Sequence, residues 1–248
     1  ELLLKGKALH HKLQKDALLN ALTTFDDAIK ADEKNGQAYA WKACALGQGL
    51  FRGYIEEDFN TIMSQAMDNL KKARELNEND FEVHRLMSEV SLAMKDFRAA
   101  QRHSKICYEQ VPNDPRVLSV YGEVCLRTGK VDEGLDAVKL ALEIDPVAQG
   151  KTNADPRHAA VIFGYYMARD KEGCLEQINN LEEIDFKSWL LTTKICRDEE
   201  HEFSNLDWFQ EGKKLFSDKD FEKEVQDFRL NNDSATETLI SFAKELFS

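Results

Sequence analysis

Apolar residues recur along this chain at the spacing of one helix face. Ala21, Phe25 and Ala28 lie four and then three residues apart, and Ala66, Leu70 and Ala73 repeat the interval. Cys174, Ile178 and Leu181 do so again, and Leu239, Phe242, Ala243 and Leu246 form a last stripe. A period near 3.6 with polar residues between predicts amphipathic helices that pack through one face. The expected class is all-α.

Between residues 81 and 146 the pattern is written twice. Met87, Ser88, Ala100, Cys107 and Pro112 each have a counterpart 34 positions later, in Tyr121, Gly122, Gly134, Ala141 and Pro146. Two helices of a hairpin approach closely only where a facing side chain is no larger than Ala, Ser, Gly or Cys. Proline after the second helix, with no N–H and a fixed φ, stops its continuation. A 34-residue helix–turn–helix unit resembles the tetratricopeptide repeat (TPR). The resemblance implies an α-α superhelix, a TPR-like right-handed solenoid of about six hairpins in a single domain. Its units fall at about 1–35, 36–80, 81–114, 115–148, 155–185 and 186–216, with capping helices over 217–248.

That ruler exposes the irregular places. The first helix, Leu2 to about Leu13, fits the repeat loosely. From Gly36 to Asp80 is 45 residues, so 11 more than the repeat separate the two helices of the second unit. The insertion includes Gly47-Gln48-Gly49-Leu50-Phe51-Arg52-Gly53-Tyr54, which predicts a bending loop. Phe51 and Tyr54 either tuck against the array or offer a patch to a partner. Gly129 suits a helix C′ position with φ > 0. Residues 147–156 form the expected irregular connector. In the sixth unit Asp198, Glu199, Glu200 and Glu202 are expected to open the second helix, with Lys213 and Lys214 closing it. The final helix is expected to begin with Ser234 as N-cap and Glu237 at N3, a capping box, and to cover the end of the array.

Composition narrows the function classes. Charged residues are 31%, hydrophobic types 42%, and the net charge is -12. That balance argues against binding of nucleic acid through phosphates and against docking on anionic membrane. No apolar run approaches the ~20 residues of a membrane-spanning helix, and no signal peptide is visible. Cys44, Cys107, Cys125, Cys174 and Cys196 form no CxxC pair. An odd, scattered set suggests a reducing, cytoplasmic setting, with Cys107, Cys125 and Cys174 as small core residues. The chain opens at Glu1 inside an apparent helix, which reads either as a piece of a longer protein or as a trimmed whole one.

Catalytic signatures are missing from the sequence. GxxxxGK[ST], GxGxxG, GxSxG and HExxH do not occur. Asp198-x-x-His201 lacks the second matching motif of a di-metal site, and His10-His11 is read as pointing to two helix faces. No catalytic residue, cofactor or metal ligand is therefore assigned. The working surface of such an array is its concave face, lined by the first helix of each unit. Repeat register should expose Glu82, Arg85 and Glu89 from unit three. Unit four should add Arg116, Ser119, Glu123 and Arg127, and unit five His158, Val161 and Tyr165. The chaperone-binding members of the repeat family grip a peptide carboxylate with Lys and Asn at groove positions. Those positions hold Arg85/Glu89 and Ser119/Glu123 here, so that activity is not implied.

A narrower resemblance rests on four stretches. These are Glu1-Leu2-Leu3-Leu4-Lys5-Gly6-Lys7-Ala8-Leu9, the long second unit, Asp114-Pro115-Arg116-Val117, and Phe216-Ser217-Asp218-Lys219-Asp220-Phe221. They are similar to the C-terminal repeat region of bacterial class III adenylate/guanylate cyclases and related regulators. The similarity implies a protein- or peptide-binding arm of a bacterial signalling protein, with a catalytic or DNA-binding domain upstream. The alternatives are a stand-alone adaptor, or a small-molecule sensor that clasps a ligand near His158, Tyr165 and Tyr166.

Overall fold

The computed structural model describes residues 1–148 and 151–248, and every regular element among them is a helix. The chain divides into two compact units, Glu1–Pro112 and Asn113–Ser248. The first holds three hairpins: α1 (Leu2–His10) with α2 (Lys15–Ala31), α3 (Gly36–Phe51) with α4 (Phe59–Leu76), and α5 (Phe81–Ala93) with α6 (Phe97–Gln110). In the second, α7 (Pro115–Arg127) pairs with α8 (Val131–Ile144), α9 (Asp155–Met167) with α10 (Lys171–Ile178), and α11 (Phe186–Asp198) with α12 (Asp207–Leu215). The short α13 (Phe221–Gln226) and α14 (Asp233–Leu246) follow and pack on α11.

Polar side chains start these helices. Asp or Asn caps α3, α4, α5, α6, α7, α10, α11, α13 and α14 through a side-chain oxygen that accepts a backbone N–H of the first turn. Each such cap stabilises by about 1 kcal/mol. For α14 the cap is Asn232, which takes the Ala235 N–H at 3.0 Å, so Ser234 lies inside the helix and the expected Ser234/Glu237 capping box does not form.

A shared turn ends the first helix of each hairpin. Leu13, Gly53, Lys95, Gly129, Arg169 and Glu200 all adopt positive φ, at 55, 66, 59, 87, 58 and 53° respectively. At five of these turns the next N–H reaches back to a carbonyl five residues earlier: Tyr54 to Gly49, Asp96 to Ser91, Lys130 to Cys125, Asp170 to Tyr165 and His201 to Cys196, at 2.8–2.9 Å. This is the Schellman closure of a helix C-terminus. Gly129 behaves as its sequence predicts. Four other turns adopt the same backbone with a side chain in place.

The seams between paired helices follow the 34-residue pattern. A Cβ added to Gly122 would stand 2.9 Å from the Gly134 carbonyl oxygen and 2.7 Å from a Val138 methyl. In the preceding hairpin the same position is Ser88, whose hydroxyl donates to the Ala100 carbonyl at 3.1 Å. Cys107 and Ala141 are fully buried at the matching positions. In the first unit one apolar cluster runs from Ala40 through Ile62, Met63 and Leu70 to Leu86, and a smaller one joins Leu18, Phe25 and Trp41. In the second unit a single cluster runs from Leu126 through Phe163 and Trp189 to Leu239 and Phe242. The C-terminal helix contributes Leu239, Phe242 and Ala243 to this cluster, with Leu246 packed against it.

Two expectations change. The glycine-rich insertion is largely helical, because α3 continues through Gly47 and Gly49 to Phe51 and only residues 52–58 form the loop. Tyr54 is packed and donates to the Leu13 carbonyl at 3.1 Å, whereas Phe51 is 53% exposed and meets Phe59 edge-on. In the sixth unit the acidic run does not open a helix. Asp198 closes α11, Glu199 to Glu202 lie in the turn, and Asp207 is the first-turn acid of α12. Lys213 and Lys214 do sit in the last turn of α12. The connector runs irregularly between Ile144 and Asp155, with Gln149 and Gly150 outside the described residues.

Two substitutions test this account. Gly122→Ala should destabilise the second unit by about 1–3 kcal/mol, since the added methyl has no room against backbone. Lys95→Gly should stabilise by about 0.5–1 kcal/mol, the left-handed penalty less the entropy glycine adds to the unfolded chain. Urea unfolding of both variants checks the two signs; a neutral Gly122→Ala would contradict the seam.

Candidate functional site

In the first unit the candidate residues lie on α5. Arg85 is buried, and its guanidinium forks between Glu82 Oε1 at 2.7 Å and Glu89 Oε1 at 2.6 Å. Glu82 is also buried, while the Glu89 side chain is 43% exposed. Burial alone would weaken the Arg85 charge, but Glu89 and Glu82 outweigh it and hold its proton affinity above the ordinary arginine range. The three residues form a fixed ion-pair triad with one carboxylate facing solvent. Glu82 and Arg85 were expected on the open face; the structure buries both, because each satisfies the other's charge.

A histidine pair that the sequence did not single out flanks this triad. His84 Nε2 donates to the Glu78 carbonyl at 2.9 Å, which leaves Nδ1 to accept from His103 Nδ1–H, also at 2.9 Å. Burial, then His84, Arg102 and Arg74, push His103 down to about 4, with Asp96 opposing. At the end of α1, the rings of His10 and His11 stack at 5.4 Å and both meet Trp41. The two imidazoles meet each other, so they do not point to two separate helix faces as the sequence suggested. His10 also contacts Cys44 Sγ at 3.3 Å and Gln48 Oε1 at 3.1 Å, and burial followed by His11 lowers it to about 4.

In the second unit the candidates separate into three groups. Arg116 pairs with Asp114, its own helix cap, at 2.6 Å, and Ser119 Oγ donates to the Pro115 carbonyl at 2.9 Å and meets Arg157. Glu123 pairs with Arg127 at 2.8 Å; Arg127 Nε and Nη2 donate to the Phe228 carbonyl at 3.3 and 3.1 Å. Arg127 is thus buried by the chain's own C-terminal segment, 101 positions away, rather than exposed. His158 contacts Gln177 of α10 at 2.7 Å, and the Tyr165 ring lies against Gly173 of α10 with Lys139 above it at 5.6 Å. Val161 is 1% exposed and belongs to the apolar core, which corrects its assignment to the open face. An aliphatic side chain gains by leaving water, and the second unit's apolar cluster is where it goes.

Burial would raise the Asp114 carboxyl, but the Arg116 hydrogen bond overrides it and holds it below its ordinary range. Arg127 at Glu123 has the same effect on that carboxylate. Arg157 is the residue sequence reasoning missed: it bridges α7 and the connector through the Pro115 carbonyl, the Asp145 carbonyl and the Asp145 carboxylate. Two open clefts, of about 550 and 470 Å³, lie along Arg197 and α14 and do not include His158, Tyr165 or Tyr166. Among the described residues no group of three or more His, Cys, Asp or Glu side chains is placed to hold a metal ion, and no helix is long and apolar enough to cross a membrane.

No family model matches the sequence, and no curated protein matches it. Solved structures do match in fold. PilF of Pseudomonas aeruginosa superposes with a TM-score of 0.62 over 92% of this chain and 95% of its own, at 15% identity. A thermophilic TPR protein of Thermus thermophilus gives 0.55 over 80% and 97%, at 18% identity. A tetratricopeptide repeat protein from Parabacteroides merdae gives 0.53 over 90% and 77%, at 14% identity. The chain therefore has the all-α fold of tetratricopeptide repeat proteins.

Two outcomes test the electrostatics of the first unit. Removing Arg85 as Arg85→Ala leaves Glu82 buried without its partner and should cost about 3–5 kcal/mol. The pH dependence has a defined sign. His10 and His103 titrate near 4 when folded and near 6.5 when unfolded, so falling pH protonates the unfolded chain first. Their contribution is complete above about pH 6.5 and is lost between there and about pH 4. The urea midpoint should fall over that interval, and fall less in His103→Gln. Parallel curves for the two proteins would contradict the assignment.

Proposed function

We propose that this chain is a protein- or peptide-binding module that works through the polar faces of its first helices. The observation that carries the reading is a set of charged side chains fixed by short ion pairs yet still accessible. Glu89 is 43% exposed while bound to Arg85, Glu123 is 37% exposed while bound to Arg127, and Arg116 is 40% exposed while bound to Asp114. Side chains ordered before binding lose less entropy when a partner docks, and opposite charges at set positions favour one peptide over another. The fold shared with other repeat proteins supports a binding role over a catalytic one, since such arrays present extended surfaces rather than closed reaction chambers. The finer reading is a regulatory or scaffolding arm of a larger bacterial signalling protein, working in the cytoplasm and acting on an attached domain or a separate partner.

A peptide-library selection on the full chain tests the proposal. Peptides should enrich, and their binding should weaken about tenfold when Glu89→Lys or Arg116→Glu reverses one accessible charge, equivalent to about 1.4 kcal/mol. Failure of any peptide to enrich, or equal binding by the charge-reversed variants, would contradict it.

A further inference from the structure

Six lysines of the described chain are half-buried: Lys7, Lys42, Lys171, Lys187, Lys194 and Lys213. Five of them give an ammonium N–H to an oxygen. Lys7 reaches Gln37 and Lys42 reaches Asp26, Lys171 pairs with Glu172 and Lys194 with Asp198, and Lys213 meets the Leu246 carbonyl. Lys187 has no such partner among the described residues. Its Nζ lies 4.0 Å from the centre of the Phe163 ring and 6.0 Å from that of Phe228, and it is not among the sealed unpartnered atoms of the core.

The charges around Lys187 explain why it stays unpaired. From α7, Arg127 packs on the same Phe163 ring at 4.7 Å and engages the Glu123 carboxylate at 2.8 Å. Arg229, in the segment that crosses this face, adds a second guanidinium, while Asp185, the N-cap of α11, and Glu123 favour the charged amine. We propose that Lys187 is a nucleophilic amine and a site of acylation by acyl phosphates. An acyl phosphate suits the surroundings because its leaving group is an anion and the flanking groups are guanidiniums. The neutral Nζ attacks the acyl carbon and forms a C–N bond. The acyl C–O bond breaks, phosphate departs with that electron pair, and the amine's surplus proton passes to solvent or phosphate. The product is a neutral amide that no longer repels Arg127.

Burial, and then the Arg127 charge, bring the Lys187 amine down to about 8, against which Glu123 and Asp185 act. Near neutral pH a far larger share of it is unprotonated than of an ordinary lysine titrating near ~10.4. This chemistry does not depend on the binding role proposed above, though an acylated Lys187 would change the charge of the same first-helix face.

The test uses the unmodified full chain, acetyl phosphate, and peptide mapping by mass spectrometry over time. Lys187 should acetylate on the order of tenfold faster at pH 7.5 than exposed lysines such as Lys95 and Lys214. Its rate should level off above a midpoint near pH 8, and the advantage should vanish in concentrated urea. A neutral succinimidyl ester should prefer Lys187 less strongly than acetyl phosphate does. Labelling of Lys187 no faster than the exposed lysines would overturn the proposal, as would an advantage that persists in urea. Equal preference with both donors would overturn the choice of acyl phosphate.

Discussion

Backbone can meet backbone only where no side chain stands between, and the contact of Gly122 with Gly134 works at that limit. A single methyl there would fall 2.9 Å from a carbonyl oxygen. The close approach sets the spacing of α7 and α8, and Ser88 with Ala100 sets that of α5 and α6 through a hydroxyl-to-carbonyl bond. Once the pair spacing is fixed, each first helix must reverse within a few residues. The left-handed turn at Lys95, Gly129 and Arg169 is the reversal that allows it. Four of the six turns bear a side chain at that backbone. Each does so at a cost of about 1–2 kcal/mol that tertiary packing offsets.

The acidity of the chain has a structural component as well as a functional one. Aspartates at helix starts place negative charge where the peptide dipoles present positive ends. A net charge of -12 therefore does not describe a uniformly acidic surface. On the first-helix faces the pattern is different: Arg85 lies between two carboxylates, and Arg127, Lys187 and Arg229 meet around Glu123. The first group is net negative; positive charge gathers only in the second, where the chain's own C-terminal segment packs.

Much of the fold was legible because steric rules leave marks in single residues. Pro112, Pro146 and Gly129 and the small residues at the seams each name their own position, whereas the Asp caps came only with the structure. The turns at Leu13, Lys95, Arg169 and Glu200 were not legible, since nothing in those side chains announces positive φ. The candidate face was read less well. Periodicity scores Glu82, Arg85 and Arg127 as polar and places them outward, although paired charges can be buried. The partner of Arg127 is a backbone carbonyl supplied from the far end of the chain, and His84 meets His103 across a hairpin. Contacts of that kind have no local pattern. Conversely, Gly47 and Gly49 suggested a loop, but the apolar contacts of Ala45, Leu46 and Leu50 carry the helix through them.

Residue-resolved hydrogen exchange tests the central claim, that the small-residue seams hold the helical hairpins together. In the first unit the amides of Ser88 and Ala100 should exchange only through global opening, and in the second unit so should those of Gly122, Gly134 and Val138. Amides of α1 and α13 should exchange faster, by local fraying. Seam amides that exchange as fast as those of α13 would contradict the account.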